Sequence, residues 1–293
     1  MDKMSWFLTH NPYSTRFWIP NQIPVACASD DKMYGKVVKW WPTDAEETYK
    51  AKGNLYGPND ITYSVNSFGY RSIEFDPKST APKIMFVGCS FTAGIGVRHE
   101  EIWTSILADK ISKHCGVDFE QHNFGLPGYG ADAMAQVTFQ ALPLIKPDLL
   151  IALFPSAERR MHYGNYIHRI ALIPSFTKRN VYKKEHEALV TLQNDSNDFY
   201  HWVMQWNFMN LTAKKHSIPW LWATYYPSRE IEPHYHHYVR TDNYAPVLFP
   251  PFIQNKDYGR DLSHPGPKSH AVFAESMFDY AVEQLGKKWS STE

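Results

Sequence analysis

Lys83-Ile84-Met85-Phe86-Val87-Gly88-Cys89-Ser90-Phe91-Thr92-Ala93-Gly94 is the stretch that decides the fold. Residues 84–87 form a short continuous apolar run that stops at a glycine, as expected of a strand buried on both faces. The small residues after it allow a sharp turn. Further on, residues 101–113 place Ile102, Trp103, Ile106, Leu107 and Ile111 on one helical stripe. A strand followed by an amphipathic helix is the βα half of a parallel-sheet unit. Such a turn lifts Ser90 to the carboxyl edge of the sheet, where doubly wound folds bind ligands, and the helix after it should aim free amides and its positive end the same way. On this segment alone, a serine that merely forms the turn or caps the helix is an equal reading.

The pattern repeats downstream. Residues 131–144 read as a helix, Pro147-Asp148 as a turn and residues 149–154 as a second apolar strand. Residues 198–215 read as a helix carrying Trp202, Val203, Trp206, Met209 and Leu211, and residues 218–223 as a third strand. A last helix covers 267–285, with Val272, Phe273, Met277, Tyr280, Ala281 and Leu285 facing inward. This alternation predicts an α/β fold, a doubly wound and mainly parallel sheet flanked by helices in three layers, like flavodoxin. Residues 1–80 are rich in Pro, Trp, Asn and Asp without a helical period. They read as an irregular β-rich lead-in or cap, with short extended pieces at 37–41 and 61–65 and turn chemistry at Asn66-Ser67-Phe68-Gly69, ahead of a main domain at 81–293. Residues 161–197 and 227–260 lack a clear period and suit lids or specificity loops.

Composition narrows the function. Thirty basic and thirty acidic residues balance to zero formal charge, so no single-sign field exists to hold nucleic acid or an anionic membrane surface. Cys27, Cys89 and Cys115 are widely spaced and odd in number, against a disulfide framework or thiolate zinc site. The N-terminal residues lack a basic start followed by a long apolar stretch, and no run reaches the length of a membrane span. A soluble cytoplasmic protein is the expectation, although a released or virion-associated one would show the same features.

Near the C-terminal end stands Arg260-Asp261-Leu262-Ser263-His264-Pro265-Gly266. A serine hydroxyl is a weak nucleophile until a base takes its proton, and an imidazole serves best when a carboxylate fixes its tautomer. Asp261 and His264 lie three residues apart, so one turn of chain can bring both to the same side. Taken alone, the pair reads more simply as a capping Asp beside a surface His.

Taken together, these segments resemble the SGNH hydrolases, also called GDSL-like lipases and esterases. The family's Gly-Asp-Ser-x-Thr block appears as Gly88-Cys89-Ser90-Phe91-Thr92, its Asn-x-Gly loop as Asn123-Phe124-Gly125-Leu126-Pro127-Gly128-Tyr129-Gly130, and its Asp-x-x-His-Pro block unchanged from Asp261 to Pro265. Upstream, Asn66-Ser67-Phe68-Gly69-Tyr70-Arg71 also looks like a lead-in found in some members. The resemblance spans roughly residues 83–286. It implies a serine esterase or acylhydrolase working through an acyl-enzyme on Ser90, with His264 as base, Asp261 orienting it, and the backbone amides of Ser90 and Gly128 as oxyanion donors. No cofactor or metal is expected, and the implied substrate is a small-molecule or carbohydrate ester.

The chain departs from the family at its third block, where Ala157 in Phe154-Pro155-Ser156-Ala157-Glu158 stands for the Asn that supplies a third oxyanion donor. Ser156, Arg159 or Asn165 could substitute. An acyltransferase with the same triad and a non-catalytic binding or structural protein therefore stay open. Cys89 is a minor alternative nucleophile, since no neighbour in sequence would activate it. His234-Tyr235-His236-His237 invites a metal reading but lacks a carboxylate or Cys at suitable spacing. His270 reads as packing or surface. Trp202, Trp206, Trp220 and Trp222 read as core, whereas Tyr225, Tyr226, Tyr235 and Tyr244 could line a site for sugar or acyl groups. The pairs Lys183-Lys184, Lys214-Lys215 and Lys287-Lys288 read as solvated helix faces or ends.

Overall fold

The computed structural model describes residues 33–163, 169–172, 187–188, 191–192, 194–224, 242–248 and 257–289. A small antiparallel ladder comes first, with β1 (Val37–Val38) paired to β2 (Tyr63–Ser64). The main sheet follows, built from β3 (Lys83–Gly88), β4 (Glu120–Gly125), β5 (Leu149–Phe154), β8 (Trp220–Thr224) and β9 (Tyr244–Leu248). Its order is β4-β3-β5-β8-β9, with every neighbouring pair parallel. Between β5 and β8 lies a hairpin of β6 (Arg160–Tyr163) and β7 (Arg169–Leu172). The five helices named here are α1 (Ser90–Ala93), α2 (Trp103–Cys115), α3 (Ala131–Ile145), α4 (Asp195–Lys215) and α5 (Pro267–Trp289).

This is the doubly wound α/β architecture that the sequence predicts. Packing of α2 against α5, and of α3 against α4, makes two helical layers around one sheet. Every residue of β3, β5 and β8 is buried, which explains their continuous apolar runs. The outer strands differ: β4 opens with half-buried Glu120 and Gln121, and β9 carries Pro246, a residue that parallel ladders tolerate at an edge. Because of that polarity, strand β4 escapes the apolar-run criterion, and its last residues, Asn123 to Gly125, finish a strand where a loop is expected. Strands β6, β7 and β9 occupy stretches that show no period in sequence.

Aromatic packing fills both interfaces. Trp103 meets Phe86 and Phe273 edge-on, with ring centroids 5.3 and 5.0 Å apart, geometry that adds about 0.5–1.5 kcal/mol per pair beyond buried area. Trp202, Trp206, Trp220 and Trp222 are core residues, as expected, and the indole N–H groups of Trp220 and Trp222 donate to Asn210 and Asn243 at 3.2 Å. One inward assignment needs correction: Val272 on α5 points to solvent, 47% exposed. The buried cluster that contains β3 also takes in Met33, Trp41, Tyr56, Ile61, Tyr63, Val65 and Tyr70 from upstream of the sheet.

Topology sets the site. The chain leaves β3 for β4 on one side and returns to β5 on the other, so the loops after β3 and β5 diverge at the sheet's carboxyl edge. That crevice is where open α/β sheets place their ligands.

Candidate active site

Ser90 begins α1 directly after Gly88 and Cys89, at the carboxyl end of β3. The helix is a single turn closed by left-handed Gly94. It is too short to supply the helix dipole expected at this point; what it offers is its free backbone N–H groups. The turn is crowded. A Cβ on Gly88 would lie 2.1 Å from Thr92 Oγ1, and one on Gly125 would lie 2.4 Å from the Ala93 backbone nitrogen. Only glycines let β3, α1 and the end of β4 approach this closely. Asn123 locks the arrangement, donating to the Thr92 carbonyl at 2.7 Å and accepting from the Gly125 amide at 2.8 Å. Cys89 is wholly buried at the helix cap, a poor position for a nucleophile.

Asp261 and His264 sit on a loop that closes on itself before α5. Gly259 N donates to the His264 carbonyl, Leu262 N donates to the Gly259 carbonyl, and Tyr258 bridges Pro265. Leu262 takes a left-handed conformation, φ 54°, of the kind that costs a non-glycine residue about 1–3 kcal/mol and collects at functional sites. Asp257 caps the helix beyond, accepting from the backbone amides of Lys268 and Ser269 and from the Ser269 hydroxyl, while Pro267 occupies the first helical position.

Within that loop the Asp261 carboxylate, its side chain 2% exposed, accepts four hydrogen bonds. They come from the amides of Ser263 and His264, the Ser263 hydroxyl, and His264 Nδ1. Burial pushes the carboxyl up, but the imidazole and the two amides outweigh it and hold Asp261 below its ordinary range. With Nδ1 engaged by Asp261, Nε2 is the ring nitrogen of His264 left for another partner. The ring meets that of Phe91, the residue after Ser90, edge-on at 6.0 Å between centroids. The two loops also touch through backbone, Arg260 N donating to the Gly96 carbonyl at 2.7 Å. Among the described residues no hydrogen bond joins Ser90 to His264.

Gly128 lies half-buried in the turn of residues 126–129, φ 80°, after β4. Beyond β5, Ala157 is buried within a turn closed by Arg159 N donating to the Ser156 carbonyl. Ser156 spends its hydroxyl proton on Glu158, at 2.5 Å. Asn165, Tyr225, Tyr226, Tyr235 and residues 234–237 lie outside the described residues, and Tyr244 packs on Trp222. Among the described residues no group of three or more His, Cys, Asp or Glu could hold a metal ion, and no helix is long and apolar enough to cross a membrane.

His270 does fill a packing role. It is fully buried, its Nδ1 accepts the Trp103 amide at 3.2 Å, and burial together with the charges of Arg71 and His264 pushes its pKa down to about 3. A neutral imidazole thus caps α2. Sequence reasoning assigned no role to Arg260, which is wholly buried and grips Asp44, or to Arg71, which grips the carbonyls of Gly94 and Val97. Their adjacency to the motifs is visible in sequence, but their partners are not.

No protein-family model matches the chain, and no curated protein does. Solved structures of similar fold include TesA, 15% identical over 69% of this chain and 99% of that one, TM-score 0.46. The family 3 carbohydrate esterase of Clostridium thermocellum is 15% identical over 70% of this chain and 96% of its own, TM-score 0.43. AlinE4, an SGNH-hydrolase family esterase, is 15% identical over 71% and 98%, TM-score 0.39. Solved structures of similar fold also include the esterase EstA from Pseudoalteromonas sp. and the lipase Lip_vut3 from a goat rumen metagenome.

Proposed function

We propose that the chain is a serine ester hydrolase with Ser90 as nucleophile, His264 as general base and Asp261 as the carboxylate that orients it. The observation that carries this reading is the part-buried Asp261–His264 pair, held on a strained loop whose imidazole abuts the residue after Ser90. Ser90 Oγ attacks the ester carbonyl as its proton passes to His264 Nε2. The alcohol then leaves with that proton, and a water deprotonated by His264 releases the acid from the acyl-enzyme. The amides of Ser90 and Gly128 are the proposed oxyanion donors. The substrate class is a small ester, O-acylated sugars included, and an alcohol acceptor in place of water would make the same machinery an acyltransferase.

A second reading, a binding protein without turnover, is favoured by Ala157, which offers no side-chain donor. One experiment separates them. Fluorophosphonate labelling and hydrolysis of a short-chain aryl acetate are measured on the wild type and on Ser90→Ala. The esterase reading expects both to vanish in the variant, with hydrolysis falling by about 10⁴-fold or more. An unlabelled, inactive wild type overturns it and leaves the binding reading.

A further inference from the structure

We infer that Tyr63, Asp44 and Arg260 form a positioning ring that sets the Ser90 turn and the Asp261–His264 loop in register with each other. The inference rests on the serine hydrolase reading and concerns side chains outside its triad. Four links close the ring. Arg260 donates from Nε and Nη2 to Asp44 Oδ2 at 3.0 and 2.7 Å. Tyr63 donates its hydroxyl proton to the same Asp44 oxygen at 2.5 Å. The Tyr63 oxygen in turn accepts the Gly96 amide at 3.0 Å, and the Gly96 carbonyl accepts the Arg260 amide at 2.7 Å. Gly96 lies on the segment that follows the Ser90 helix, and Arg260 directly precedes Asp261. A single residue of one loop, Gly96, is therefore bonded through both its amide and its carbonyl to groups that fix the other.

The ring is buried and firmly seated. Arg260 is wholly buried; its Nη1 donates to the Pro58 carbonyl at 3.0 Å, its Nη2 also to the Lys39 carbonyl at 2.5 Å, and its guanidinium lies 3.9 Å over the Trp40 ring. Asn54 holds the Arg260 carbonyl from outside the ring. Arg71 lies 4.5 Å over the Tyr63 ring and grips the carbonyls of Gly94 and Val97 on either side of Gly96. A buried guanidinium engaged on every nitrogen defines one geometry and resists small displacements. That matters because a misplacement of about 1 Å between nucleophile and base costs about a hundredfold in rate.

Tyr63→Phe tests this, because it keeps the ring under Arg71 and deletes only the oxygen that links Asp44 to Gly96. Amide exchange is followed in residues 94–98 and 257–264, and kcat and KM for an aryl acetate are normalised to sites titrated with a phosphonate. The expected result is faster exchange in both segments, by about tenfold, with kcat down about ten- to hundredfold and KM within about twofold. Asn54→Ala should loosen residues 257–264 alone. Arg260→Lys, which cannot fork onto Asp44, should repeat the Tyr63→Phe result and stands in if that variant fails to fold. Exchange unchanged in either segment, or an unchanged kcat per site in an active enzyme, overturns the inference. If the wild type is neither labelled nor active, the hydrolase reading falls, and the exchange of the two segments alone decides whether the ring couples them.

Discussion

Two turns stand side by side at the carboxyl edge of the sheet, residues 88–90 after β3 and residues 154–159 after β5, and they are built to different standards. The first is over-determined: Gly88 and Gly125 admit close backbone approach, Asn123 bonds across the crossing, and the segment beyond is gripped by Arg71 and by the Tyr63 oxygen. The second has a local turn bond, a Ser156–Glu158 contact and an alanine where a donor would serve the reaction. Groups that set the proposed nucleophile Ser90 are thus held tightly, while on that reading one wall of the crevice offers little to a developing oxyanion. Since a preorganised donor contributes only where charge grows in the transition state, the serine hydrolase proposed above is expected to be slow.

Giving the second turn what it lacks should produce the largest effect. An oxyanion donor is worth about 2.7–4 kcal/mol in serine hydrolases, so on the proposed function Ala157→Asn should raise kcat by about tenfold or more while leaving KM near its original value. Steady-state kinetics on an aryl acetate check this. An unchanged kcat in a variant of unchanged melting temperature would mean that this turn does not face the reacting carbonyl.

Next in size is damage to the first turn. Gly125→Ala places a methyl group 2.4 Å from the Ala93 backbone nitrogen and 2.7 Å from the Thr92 carbonyl carbon, neither of which can move without shifting Ser90. Overpacking of this kind costs about 1–3 kcal/mol. Urea unfolding should report a loss in that range, and hydrolysis per folded molecule should fall as well. A fully active, fully stable variant would show the crowding to be dispensable.

The same contrast explains what could be read from sequence. Strands β3, β5 and β8 announce themselves because burial on both faces demands unbroken apolar runs, whereas Ser90, Asp261 and His264 stand out as candidates only because three short blocks occur together in the order of the SGNH hydrolases, each block alone having a simpler reading. Strand β4 is hidden because an edge strand carries Glu120 and Gln121, and β9 because Pro246 argues against a strand until the edge position is known. The ring of Tyr63, Asp44 and Arg260 is hidden for another reason. Asp44 and Arg260 are 216 residues apart, and only the folded chain shows that a buried cation has a buried anion waiting. The inward reading of Val272 failed because a helical stripe wider than the neighbouring surface leaves its flank in water.

The smallest predicted effect decides whether the second turn is as bare as it looks. Ser156 is the nearest hydroxyl to Ala157 in sequence, and it could replace the missing donor only if its proton were free to point at the oxyanion. In the structure that proton goes to Glu158 Oε1 at 2.5 Å, a charge-assisted bond that a neutral carbonyl oxygen cannot compete with in the ground state. The bond is only part-buried, so removing it should change stability by about 0.5 kcal/mol or less. Ser156→Ala is therefore expected to leave both the melting temperature and kcat nearly where they were, within about twofold for the latter. A drop in kcat of about tenfold or more at unchanged stability would reverse the assignment: Ser156 would then leave Glu158 as negative charge builds on the substrate oxygen, and the turn after β5 would carry its donor one residue early.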